Sequence, residues 1–134
     1  MATIFTRIID GDIPGTFVHR DDWCVVFLSF NPLAHGHALV VPIAEHDHWV
    51  DVPADLAAHL FAVAHRVGRA QARAFDCERV GVIIAGYEVP HTHIHLVPTN
   101  DMRELNFANA AASVTRDELD AAAAAIIAAL AALD

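Results

Sequence analysis

The sequence predicts an α+β domain, a mainly antiparallel sheet with one central helix and one C-terminal helix. Three observations carry that reading. Short β-branched and aromatic runs precede a long stretch of helical periodicity, two more such runs follow it, and an alanine-rich helical stretch closes the chain. With 134 residues there is enough chain for one packed core, so 1–134 reads as a single domain.

Taken in order, Cys24-Val25-Val26-Phe27-Leu28 is the first strand run and Ala38-Leu39-Val40-Val41-Pro42-Ile43 the second. Asn31-Pro32 and Gly36 between them mark a hairpin-type connection. Pro53 suits the first turn of a helix, with Asp55 near the favourable end of its dipole. Leu56, Leu60, Val63, Val67 and Ala70 then recur at helical spacing, while Arg66, Arg69 and Arg73 fall off the stripe. Such a stripe is core packing. Residues 80–84 and 91–97 read as two further strands joined by a turn around Gly86. Thr115 and Glu118 stand in capping-box spacing at the start of the last helix. Leu119, Ala123, Ile126, Leu130 and Leu133 form its buried face.

Composition narrows the partners. A net charge of −9 argues against general binding to nucleic-acid backbones, which takes clustered cations. A single nucleotide stays open, because imidazoles and backbone N–H groups can hold one phosphate. Residues 1–10 carry no secretory pattern, and the uncharged run 121–133 falls short of the about 20 residues a membrane span needs. Cys24 and Cys77 lie far apart, form no CxxC pair, and read as reduced, buried thiols. A cytoplasmic protein is therefore expected, with no membrane or nucleic-acid partner. Eight arginines with no lysine, among abundant alanines, point to a GC-rich bacterial genome.

The chemistry concentrates in His91-Thr92-His93-Ile94-His95-Leu96-Val97-Pro98. On a strand, alternate side chains share a face, which would put three imidazoles in a row roughly 6.5 Å apart. Ile94 and Leu96 would then point into a core. The row admits three readings. It can be a solvated strand face that happens to hold histidines. It can be a metal site, since His-X-His on a strand offers two ligands, with Glu88 the near carboxylate. Or it can be nucleophilic: one neutral imidazole attacks phosphorus while its other nitrogen donates the hydrogen bond that fixes the tautomer. Neighbouring imidazoles would disfavour charging of that nucleophile and could bind phosphate oxygens.

The same segment resembles the HIT (histidine triad) motif, His-φ-His-φ-His-φ-φ, with Thr92 at the first apolar position. The likeness extends along the chain. Ile4-Phe5-Thr6-Arg7-Ile8-Ile9-Asp10-Gly11-Asp12-Ile13-Pro14 is similar to the family's N-terminal segment. Phe27-Leu28-Ser29-Phe30-Asn31-Pro32 resembles its second-strand signature, and Gly36-His37-Ala38-Leu39-Val40-Val41-Pro42 its third.

The resemblance implies a HIT-like fold, a homodimer with a continuous sheet, and a nucleotide substrate. His93 would attack the α-phosphorus and become nucleotidylated, and water would release the nucleoside monophosphate. His95 would contact the phosphate, His91 would position the cluster, and His37 would support it from the neighbouring strand. Phe5, Ile8, Phe27 and Phe30 match positions that sandwich the base, while Gly86 and Val89 match the turn that approaches the phosphate. The activity implied is that of a hydrolase or transferase on nucleoside phosphoramidates or dinucleoside polyphosphates. The alternatives are a nucleotide-binding regulator with vestigial catalysis and a metal-dependent enzyme.

The chain departs from the family at three places. Ser29 replaces the usual ribose-binding Asp, and a serine lacks the charge-assisted strength of a carboxylate. Glu88 stands where a small hydroxyl residue often touches phosphate, after a shortened Ile83-Ile84-Ala85-Gly86 turn. Zinc-bearing members carry Cys-X-X-Cys where this chain has Thr3 and Thr6, so no metal or other cofactor is expected, although His46 matches a zinc position in those members. His19, His59 and His65 read as surface residues, and His46 and His48 as loop residues.

Overall fold

Five short strands pair into one antiparallel sheet in the order β1-β2-β3-β5-β4. β1 spans Phe17–Arg20, β2 Cys24–Leu28, β3 Ala38–Pro42, β4 Arg79–Ile83 and β5 Ile94–Thr99. Three helices accompany them, α1 over Ile4–Ile9, α2 over Ala54–Ala74 and α3 over Arg116–Ala132. The computed structural model describes residues 1–133. Among these, no helix is long and apolar enough to cross a membrane.

The sheet is apolar on both faces because its strands alternate. Cys24, Val26 and Leu28 of β2 join Ala38, Val40, Ile94 and Leu96 beneath α2 and α3. There α2 lays down Leu60, Val63, Val67 and Ala70, and α3 adds Leu119, Ala123 and Ile126. On the opposite face Val25, Phe27, Leu39 and Val41 meet Phe5, Ile8 and Ile9 of α1. Double burial explains why β2 and β3 read as continuous apolar runs. The hairpin expected from Asn31-Pro32 and Gly36 joins β2 to β3. Thr115 caps α3, its Oγ1 accepting from the Glu118 N–H at 3.1 Å.

Some elements escape the sequence patterns. α1 has only six residues, too few for a periodic signal, and forms because Thr3 Oγ1 accepts the Thr6 N–H. β1 has four residues and a register shift between Phe17 and His19. The last strand also begins later than the histidine row: β5 starts at Ile94, so His91, Thr92 and His93 precede it. The cause lies in where their backbone bonds go. Thr92 N–H and Oγ1 both donate to the His46 carbonyl, at 2.6 and 2.8 Å, and the His91 N–H donates to Val89. A segment anchored to two loops cannot also pair as a strand. Cys77 is half-buried, unlike the enclosed Cys24.

One polar side chain locks the layers. Gln71 of α2 is fully buried, and its Nε2 donates to the carbonyls of Gly36 at 2.9 Å and Leu96 at 3.0 Å. Gly36 itself has φ of +89°, and a Cβ there would sit 2.3 Å from the Phe75 ring. Gly36→Ala therefore combines left-handed strain of about 1–2 kcal/mol with a clash against a packed ring. Chemical denaturation is expected to show a loss of at least about 2 kcal/mol; an unchanged midpoint would refute this account of the turn.

Candidate active site

Because His93 and His95 alternate with Ile94, which faces the helices, their rings emerge on the α1 face of the sheet. There they join a cleft of about 390 Å³, within the range usual for small-molecule sites. Its apolar wall comes from Phe5, Ile8, Phe27, Phe30, Leu39 and Val89. Ser29, His37 and Glu88 add polar groups. Thus ten of the twelve residues singled out in the sequence line one cavity. The other two stand apart. His91 is completely buried behind it, and Gly86, at φ of +85°, turns the loop whose neighbours Ala85 and Tyr87 reach the rim.

The imidazoles are not a solvated row. His37, His91, His93 and His95 are all at least 97% buried, and their nitrogens are claimed in a definite order. The Leu33 N–H donates to His37 Nδ1 at 3.0 Å, so His37 carries its proton on Nε2. That proton is given to His95 Nδ1 at 2.9 Å. His95 therefore holds its own proton on Nε2, a buried group facing the cleft with no hydrogen-bond partner. On the other side, His93 Nδ1–H donates to the His91 carbonyl at 2.7 Å, which leaves a lone pair on His93 Nε2. His91 gives its Nε2–H to the Pro42 carbonyl and accepts from Thr3 Oγ1, both at 2.7 Å. The result is one free acceptor, His93 Nε2, beside one free donor, His95 Nε2–H.

Burial disfavours the charged forms of His37, His91 and His95. Burial, and then the neighbouring His93, push His37 down to about 4. Burial, followed by His93 and His37, pushes His95 down to about 3. Burial also lowers His91, against the Pro42 carbonyl, which favours its proton. Ring packing holds the cluster in place: Phe5 meets His93 edge-on with centroids 4.9 Å apart, and His93 lies 4.8 Å from His95.

Two features go beyond the sequence reading. Phe107 packs edge-on against His95 with centroids 4.9 Å apart, and with Ala110 it closes one side of the cleft. Nothing in its neighbourhood, two short 3₁₀ turns at Met102–Leu105 and Phe107–Asn109, is periodic. Asn31 also lines the cleft, and its Nδ2 holds the carbonyls of Ala111 and Ala112. A straight strand would spread three histidines along a line; instead Glu88, His93 and His95 bring ligand atoms within 4.8 Å of one another. Glu88 Oε1 stands 3.7 Å from His95 Nε2.

At the N-terminal corner Thr3 caps α1 and bonds His91, while Glu45 Oε2 accepts from Thr3 N–H and Thr6 Oγ1, both at 2.7 Å. Hydroxyls committed in this way offer zinc no thiolate, so that corner does not fit the ion.

The HIT domain family model matches residues 10–102. The chain belongs to the HIT family. It is 28% identical over 103 residues to an adenylylsulfatase of Arabidopsis thaliana, covering 73% of this chain and 52% of that protein. It is 31% identical over 105 residues to an adenosine 5'-monophosphoramidase of Saccharomyces cerevisiae, covering 75% of this chain and 64% of that protein. The chain thus spans about half the length of the plant relative. A zinc-bound histidine triad family protein from Mycobacterium smegmatis superposes with a TM-score of 0.85 at 27% identity, over 100% of this chain and 96% of that one.

The depressed imidazoles make stability pH-dependent. In the unfolded chain His37 and His95 take up protons near 6.5, whereas in the folded chain they do so only near 4 and 3. Between these values the unfolded state binds more protons, so stability is full above about 6.5 and declines as pH falls toward 3–4. Thermal midpoints are expected to drop over that window, and His95→Gln should flatten the drop. An equally steep profile in the variant would mean that other groups govern it.

Proposed function

We propose that the protein is a nucleotidyl-phosphate hydrolase or transferase that works through a covalent nucleotidyl-His93 intermediate. The observation that carries this reading is the pairing of a free acceptor on His93 with a free donor on His95 at the base of an apolar cleft. His93 Nε2 gives its lone pair to the α-phosphorus, and the bond from phosphorus to the leaving group breaks with its electrons on that group. His95 Nε2–H donates to a non-bridging oxygen as charge builds there. The ring of His93 becomes cationic, and the His91 carbonyl stabilises its Nδ1–H. Water then attacks phosphorus, returns the electron pair to Nε2 and releases a nucleoside monophosphate and a proton. Phe5, Ile8, Phe27 and Phe30 supply the walls for the base, Ser29 a hydroxyl for the ribose, and Val89 the backbone beside the phosphate, on the loop that Gly86 turns. Relatives named as an adenylylsulfatase and an adenosine 5'-monophosphoramidase carry an adenylyl or adenosine monophosphate group in those names, which supports the substrate class.

The cleft also bears on which substrates fit. Its lining includes Glu88 and no arginine, so leaving groups that add little negative charge are favoured over polyphosphate tails. A metal-dependent route is the second reading, because Glu88, His93 and His95 converge closely enough to hold an ion. It is disfavoured for the full row, since both nitrogens of His91 are already engaged.

His93→Ala is expected to abolish turnover and labelling by an α-phosphate-tagged nucleoside phosphoramidate. His95→Ala should slow the reaction about 10²–10⁴-fold yet leave a detectable adduct. Glu88→Gln should lower KM for anionic substrates about fivefold, the worth of roughly 1 kcal/mol of repulsion near a wet surface. Near wild-type turnover in His93→Ala would overturn covalent catalysis, and loss of activity on chelation with no labelled protein would point to the metal route.

The protein is further proposed to act as a homodimer through β4 and α2. β4 is an edge strand, and its exposed Val82 lies in the same shallow surface as the exposed Phe61 of α2. Light scattering at micromolar concentration should give twice the chain mass, with Val82→Asp shifting it toward monomer. A wild-type monomer would exclude this assembly.

A further inference from the structure

On the helix face of the sheet, away from the cleft, a second polar cluster stands half-buried at the end of β1 and β2. His19 lies on β1, Asp21 in the turn that follows, Cys24 opens β2, and His59 comes from the second turn of α2. His19 Nε2–H donates to Asp21 Oδ2 at 2.6 Å, and His59 Nε2–H donates to the same oxygen at 2.9 Å. The Cys24 thiol points at that oxygen too, at 3.6 Å. Asp21 Oδ1 is taken by the N–H groups of Trp23 and Cys24 at 2.8 and 2.9 Å. Three donors therefore converge on one carboxylate oxygen that presents two lone pairs. Such crowding is unneeded for tethering a turn, but it is what a collapsed ligand shell looks like.

We propose that His19, Asp21, Cys24 and His59 form a binding site for a transition-metal cation of the zinc class, separate from the cleft. The donor set, two imidazoles, a carboxylate and a thiol, suits tetrahedral coordination. Bonds of about 2.0–2.3 Å place neighbouring donors roughly 3.3–3.8 Å apart in a tetrahedron. The sulfur-to-oxygen separation of 3.6 Å already matches, His19 needs to draw back from Asp21 by less than about 1 Å, and His59, whose donor atom lies beyond 4.8 Å from at least one of the other ligands, must swing inward to complete the shell. The ligand atoms of His19, Asp21 and Cys24 all lie within 4.8 Å of one another.

Charge also closes. A divalent ion, a carboxylate, a thiolate and two neutral imidazoles sum to zero, which suits a partly enclosed site. On binding, the Cys24 S–H bond breaks, the sulfur keeps the electron pair for the metal, and the proton goes to solvent. The ion therefore competes with the thiol proton for the sulfur. Side chains of His19, Asp21 and His59 are 28%, 25% and 36% exposed, which leaves an entry path from solvent above the fully buried sulfur. A bound ion would staple the β1–β2 turn to α2.

The test uses reduced, chelator-stripped protein titrated with Co²⁺. One equivalent per chain should give the visible bands of a tetrahedral site and a thiolate-to-cobalt charge-transfer band, and Zn²⁺ should bleach both. Zn²⁺ should also raise Tm. Cys24→Ser should remove the charge-transfer band, and His59→Gln should weaken binding at least about tenfold. His93→Ala should leave the spectrum and stoichiometry unchanged. Should Cys24→Ser fail to fold, His59→Gln on the outer helix still decides. The proposal is overturned by absence of tetrahedral Co²⁺ binding, by unchanged affinity in His59→Gln, or by a signal that vanishes in His93→Ala.

Discussion

A peptide N–H can only donate and a peptide carbonyl can only accept, and that asymmetry sets the state of every imidazole in the cleft. Leu33 N–H makes His37 Nδ1 an acceptor, which fixes His37 as an Nε2 donor and His95 as a second one. The His91 and Pro42 carbonyls do the converse for His93 and His91. No ring needs a charged partner to hold its tautomer. Backbone geometry, set by the β2–β3 hairpin and the loop before β5, dictates which nitrogen faces a ligand. In a chain of net charge −9 this matters, because the cleft does not depend on arginines to organise its donors.

The sheet divides labour between its faces. β5 sends Ile94 and Leu96 to the helices and His95 to the cleft. A one-residue slip would exchange core for chemistry. Gln71 guards against that slip by holding Leu96 and Gly36, the residues next to His95 and His37, with one amide group. The packing of α2 on the sheet and the spacing of the two coupled histidines thus rest on the same side chain.

Much of this was legible in the residues. Strong runs such as Cys24–Leu28 and the Leu60, Val63, Val67 stripe have few alternative readings, and the His-X-His-X-His pattern locates the cluster directly. What stayed hidden depends on contacts remote in sequence. The bonds from Thr92 to His46 delay the start of β5, and nothing local in 91–93 announces them. Phe107 reaches His95 from an aperiodic segment. His19 and His59, ordinary surface residues by pattern, are joined only through Asp21, which bonds both, the second across 38 residues of chain. Alternation tells which face a side chain takes; it does not tell which distant loop will meet it there.

The wall that carries Phe107 has a particular mechanical character. Residues 101–112 are held mainly by short-range bonds, as in the Asp101 and Asn106 caps, and by the grip of Asn31 and Pro32 on Ala111 and Ala112. None of these bonds belongs to the sheet ladder. A wall bonded this way, outside the ladder, is the kind of segment that opens at lower free energy than strands. Its amides should exchange with solvent sooner than those of β2 or β3, and the cleft can widen on that side without disturbing the relay of imidazoles on the other. A ligand of variable bulk would meet its give on that side, while the imidazoles opposite stay fixed by bonds to backbone.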